Sequence, residues 1–96
     1  MGNILRKESP KVIQEITKWI KDPNSSRTWI PFALSVRGAA YEMEDKDEQA
    51  KADYKEGIQL YKKLGNSQST EKFRNNIQYM RQRYVTLGGV QAGKFL

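Results

Sequence analysis

Apolar side chains recur along this chain at steps of three and four, interrupted by short polar segments, a periodicity that predicts an all-α fold of four helices. Ser9-Pro10 opens the first helix: a hydroxyl can cap free backbone N–H groups, and a proline at the first helical position has no N–H to leave unbonded. Val12, Ile13, Ile16, Trp19 and Ile20 then make one apolar face over residues 10 to 21. Asp22-Pro23-Asn24-Ser25-Ser26 predicts a loop, since the residue before a proline is driven from helical geometry and the rest is turn chemistry.

Pro31 opens a second helix that runs to about Met43, with Leu34, Gly38 and Tyr41 on one stripe and Ala33, Arg37 and Ala40 beside it. A polar turn at Glu44-Asp45-Lys46-Asp47 follows, in which Asp47 is expected to cap the third helix and Glu48 to complement its positive end. Ala50, Tyr54, Gly57, Tyr61 and Leu64 recur at steps of four, three, four and three, and Gly65-Asn66 supplies a stop. Ser67-Gln68-Ser69-Thr70 offers caps for a fourth helix carrying Phe73, Ile77, Met80, Tyr84 and Leu87, which Gly88-Gly89 ends. One domain over residues 1–87 and a flexible tail over 88–96 are expected.

Composition narrows the chemistry more than it shapes the fold. The 96 residues include no cysteine and no histidine, which removes disulfides, thiolate nucleophiles, ordinary zinc sites and the commonest general base at neutral pH. No motif supplies an activated nucleophile, and the glycines near residue 88 lack a phosphate-loop pattern, so an enzyme is not expected, nor a cofactor or metal. The acidic run Glu42, Glu44, Asp45, Asp47 and Glu48 lacks the glycine and distal glutamate of a calcium loop and reads as a solvated turn. The longest apolar stretch, Trp29 to Leu34, is far short of the roughly 20 residues a membrane helix needs, and no signal peptide is visible. A cytoplasmic location is the expectation, with Gly2 a weak myristoylation candidate because Arg6 stands where serine or threonine is preferred.

The formal charge of +6 is uneven. Both ends are basic, whereas residues 38 to 66 hold seven acids against five lysines, so ends and centre could attract each other or different ligands.

The segment Leu34-Ser-Val-Arg-Gly38-Ala-Ala-Tyr41, followed after a turn by Ala50-Lys-Ala-Asp-Tyr54-Lys-Glu-Gly57, resembles one tetratricopeptide repeat (TPR), in which small and aromatic residues of two helices interlock. The resemblance spans about 34 residues. It departs from the family at Leu34, where tryptophan is usual, at Arg37, where leucine is usual, and at Lys62 or Lys63, where the closing proline falls. It implies a helical hairpin that works by holding a protein or peptide. One repeat cannot bury its apolar face alone, so the first and last helices would cap it. A shorter likeness, in Tyr54-Lys-Glu-Gly57-Ile58 and Tyr79-Met80-Arg81, is similar to MIT domains, which bind short helical motifs of membrane-remodelling proteins.

Trp19, Trp29, Tyr41, Tyr54, Tyr61, Tyr79 and Tyr84 could line a peptide groove, but Tyr41, Tyr54, Tyr61 and Tyr84 lie on core stripes and are expected to pack inside. Trp29 and Phe32, beside a proline, are the better exposed candidates. Arg74, Gln78 and Arg81 share one stripe of the last helix, and Arg83 and Lys72 extend its charge; a solvated face is the plainer reading of them. Arg37 would either pair structurally with Asp53 or Glu56 or contact a partner's carboxylate. The expected function is non-catalytic binding of a protein or peptide of acidic or amphipathic character. Nucleic-acid binding by the basic ends is the rival from another class, and peripheral membrane contact a third.

Overall fold

A computed structural model describes residues 9–64 and 71–89. Four α-helices run over Ser9–Lys21 (α1), Ile30–Met43 (α2), Asp47–Leu64 (α3) and Glu71–Thr86 (α4), with no strand among the described residues. The protein is all-α, as its periodicity predicts. Gly65-Asn66, the Ser67–Thr70 caps, the Met1–Arg6 segment and the chain from 90 onward lie outside the described residues.

Each helix is antiparallel to the one before. Ser9 meets Glu44 and Thr17 meets Arg37 across α1 and α2. Gly38 faces Tyr54 and Pro31 faces Gly57 across α2 and α3. Tyr61 meets Asn76 and Gly57 meets Met80 across α3 and α4. The principal extents of 35 × 34 × 20 Å describe a slab about two helix diameters thick.

Local chemistry sets the helix ends. The Asn24 N–H donates to Asp22 Oδ1 at 2.9 Å, making the expected turn after α1. A single 3-10 turn over Arg27–Trp29, which the turn residues did not predict, then leads into α2. Between α2 and α3 the Asp45 N–H donates to the Glu42 carbonyl and the Lys46 N–H to the Tyr41 carbonyl at 2.9 Å, a Schellman closure with Asp45 at φ 60°. Asp47 does not cap α3: the Ala50 N–H donates to the Lys46 carbonyl, so Lys46 is the capping position and Asp47 lies one residue inside. There its charge still complements the positive helix end. Gly88, at φ 97°, and Gly89 close α4 by the same motif, with the Gly89 N–H donating to the Tyr84 carbonyl at 2.9 Å. Those two glycines therefore belong to the helix terminus rather than to a tail.

The core lies between α3 and α4, where Ala50, Tyr54, Ile58, Tyr61, Phe73, Ile77 and Met80 pack together, with Leu34 and Ala40 of α2 also buried. Tyr54 and Tyr61 are fully buried, as their stripe predicts, while Tyr41, Tyr79 and Tyr84 pack against the edge of the core. Gly38 is where two helices close: a Cβ there would stand 2.6 Å from the Tyr54 ring. Helix α1 differs, because Val12, Ile13, Ile16 and Ile20 are only half-buried and Ser9 is its one buried residue. The apolar face of α1 is thus shared between α2 and solvent.

Candidate functional site

Helix α2 is apolar around most of its circumference, a composition that ordinarily calls for burial on all sides. Neighbours cover three of its faces. Arg37 lies towards α1, Gly38 and Pro31 towards α3, and Ser35 towards α4. Trp29 and the α2 residues Phe32, Val36, Ala39 and Met43 recur at steps of three and four on the remaining face, and none of them is fully buried. Trp29, Phe32 and Val36 of this stripe form the floor of a groove.

One wall is α1, whose Glu15, Ile16 and Trp19 join Trp29, Phe32, Ala33 and Val36 around a predominantly apolar hollow of about 470 Å³. The other is α4, whose Lys72, Asn75, Asn76 and Tyr79 enclose a second hollow of about 260 Å³ with Phe32 and Ser35. Phe32 is common to both. Trp29 keeps 39% of its surface exposed and Trp19 keeps 36%.

Specific contacts hold the aromatic end in place. Trp29 stands edge-on to Phe32 at 6.0 Å and to Phe73 at 5.4 Å. The Lys72 ammonium lies 4.9 Å from the Trp29 ring centre and 5.6 Å from that of Phe32, within cation–π range of both. Beneath them runs a polar relay. The Tyr61 hydroxyl donates to Asn76 Oδ1 at 2.8 Å, the Asn76 amide to Ser35 Oγ at 2.9 Å, and the Ser35 hydroxyl to the Phe32 carbonyl at 2.6 Å. This relay ties the floor to both α3 and α4, and burial pushes the Tyr61 phenol up to about 12.

A second polar cluster closes the far end. Glu42 accepts from the Tyr54 hydroxyl and from Arg83, whose Nε lies 3.2 Å from Oε2. Tyr79 meets Tyr54 edge-on at 5.9 Å. Burial, and then hydrogen bonding to Glu42, push the Tyr54 phenol far above its ordinary range.

The structure divides the residues that the sequence grouped as candidates. Trp29 and Phe32 lie together at one end of the groove. Arg74, Gln78 and Arg81 line a separate, more polar depression on α4 with Ile77. Arg37 belongs to neither. Its Nε and Nη2 each lie 2.7 Å from a carboxylate oxygen of Asp53, its Nη1 donates to Thr17, and the hydrogen bond to Asp53 raises its pKa. Asp53 rather than Glu56 takes the structural pairing. Arg83 is likewise engaged by Glu42, which raises its pKa.

Val36, Ala39 and Met43 were legible in the sequence but were overshadowed by the neighbouring stripe of Leu34, Gly38 and Tyr41, which shares their spacing. Two stripes of equal period on one helix are the available signal that two of its faces need cover. Among the described residues no group of three or more acidic side chains could hold a metal, and no helix is long and apolar enough to cross a membrane. Compared with protein-family models, curated proteins and solved structures, the chain matches none.

Proposed function

We propose that this chain is a non-catalytic protein-interaction module, an adaptor or assembly component that holds a protein or peptide in the groove over α2. The observation that carries this reading is the partly exposed cluster of Trp29, Phe32 and Trp19 in a walled apolar groove, whereas Phe73 and the five tyrosines among the described residues are buried or packed against the core. Aromatic anchors in a preformed concavity are the usual centre of binding energy. The close fit of Gly38 against Tyr54 supports reading α2 and α3 as a TPR-like hairpin, with α1 and α4 as its flanking helices.

The test is affinity capture from native lysate with the wild-type chain and with Val36→Asp, a floor residue that is only half-buried. Proteins retained by the wild type and lost by a folded Val36→Asp, at both low and moderate salt, are the expected result. Identical protein sets on both baits would defeat the proposal.

The nucleic-acid reading has one observation in its favour, the polar depression of Arg74, Gln78 and Arg81. It requires retention on nucleic acid that falls steeply with added salt and weakens in Arg74→Ala/Arg81→Ala.

A further inference from the structure

We propose that the occupant of the groove is an amphipathic helix of a partner protein with oppositely charged flanks, acidic beside Lys72 and basic beside Glu15; this rests on the groove being a protein-binding site. Two features select a helix over an extended segment. The floor is itself a helix, whose backbone groups are bonded within α2 and whose surface therefore offers no free edge to an extended chain. A helix arrives with its own backbone satisfied. The floor from Trp29 to Val36 also runs for about 10 Å at 1.5 Å per residue, which two turns of a second helix would match. Ala33, beside that floor in the same hollow, lets helix axes approach closely.

Charge selects the flanks. Glu15 lines the α1 wall and Lys72 the α4 wall, so the groove is negative on one side and positive on the other. Neither has an ion-pair partner among the described residues. Lys11 and Lys18, one turn either side of Glu15, are exposed and do not line the groove. Aromatic rings on the underside of Lys72 hold its ammonium at the rim, where a partner's carboxylate can reach it. Because the charges differ across the groove, a given helix would prefer one direction along it.

The test uses the full-length chain and synthetic 16-residue helical peptides sharing one leucine stripe. One peptide has glutamates on one flank and lysines on the other, one has glutamates on both, one has lysines on both, and a proline-interrupted analogue of the first is extended. Binding is followed by tryptophan fluorescence and by amide shifts at Phe32, Val36 and Ala39. The split-flank peptide should bind about threefold to tenfold tighter than either uniform one, the scale set by two exposed ion pairs. A nitroxide on its N-terminus should broaden signals at one end of α2 in the wild type and at the other end in Glu15→Lys/Lys72→Glu. Equal affinities, an unchanged direction, tighter binding of the extended analogue, or occupation of the groove by a second copy of the chain would each overturn the proposal. Those results would leave the groove a protein-binding site if Val36→Asp still abolished capture from lysate; loss of both effects would remove both readings.

Discussion

Arg37 and Asp53 form a two-pronged ion pair across α2 and α3, with both N···O distances 2.7 Å and the Asp53 side chain only 5% exposed. The planar guanidinium presents two parallel donors to the carboxylate, and Thr17 takes a third, so the pair ties α1 to the α2–α3 hairpin. Removing one partner strands a charge. Asp53→Ala should therefore destabilise by about 3 kcal/mol, whereas Arg37→Met/Asp53→Leu should lose much less. Urea unfolding of Arg37→Met, Asp53→Leu and the double variant checks this as a coupling energy; additive losses would show that the pair is not coupled.

Gly38 and Gly57 look equivalent in the repeat pattern but face different neighbours. A Cβ at Gly38 meets the fully buried Tyr54 ring, which Glu42 holds by its hydroxyl. At Gly57 it meets the flexible end of Met80, with the Pro31 carbonyl at 3.3 Å. Alanine gains about 0.5–1 kcal/mol of helix preference at either position. Gly38→Ala should nonetheless be net destabilising, by about 1–3 kcal/mol, and clearly worse than Gly57→Ala, as measured by chemical denaturation.

The buried tyrosines predict alkaline lability. Burial raises the folded-state pKa of Tyr54 and Tyr61 above the ordinary value of 10.0, Tyr61 to about 12. The stabilisation is whole below pH 10 and is lost as pH rises through the folded-state value, because the unfolded chain gives up phenolic protons that the native core retains. Between pH 10 and 12 each such tyrosine should withdraw about 1.4 kcal/mol per pH unit. Stability curves against pH, with phenolate absorbance followed in parallel, should show these two tyrosines ionising only as the fold opens.

Asn76 links three helices through Tyr61 and Ser35. Asn76→Leu leaves a buried phenol and a buried serine without that partner and should destabilise by about 1–3 kcal/mol. Because Ser35 in turn bonds the Phe32 carbonyl, the same variant should also shift amide signals at Phe32. A loss of stability with no change at Phe32 would show that the relay does not position the groove floor.

Arg83→Ala is expected to lower stability by about 1 kcal/mol, since Glu42 and the Tyr54 hydroxyl share its network and its side chain is partly open to water. Thermal melts would show this loss, and an unchanged melting temperature would contradict it.

Local periodicity and end chemistry carry most of the fold. Four helices, the burial of Tyr54 and Tyr61, the Asp22–Ser26 turn and the Gly88-Gly89 stop follow from nearest-neighbour rules on residues a few positions apart. The 3-10 turn at Arg27–Trp29 and the shift of the α3 cap from Asp47 to Lys46 depend on how the chain turns to reach its next helix. The site is less local still. Sequence alone determined that α2 carries a stripe of Leu34, Gly38 and Tyr41 and singled out Trp29 and Phe32, beside a proline, as aromatics expected to stay exposed. Only the tertiary structure decided which stripe stays open, because that depends on where α1 and α4 come to rest. Packing placed α3 over Gly38, where a missing side chain lets it approach, drew Arg37 to Asp53 and Arg83 to Glu42, and left Trp29, Phe32 and Val36 between two walls.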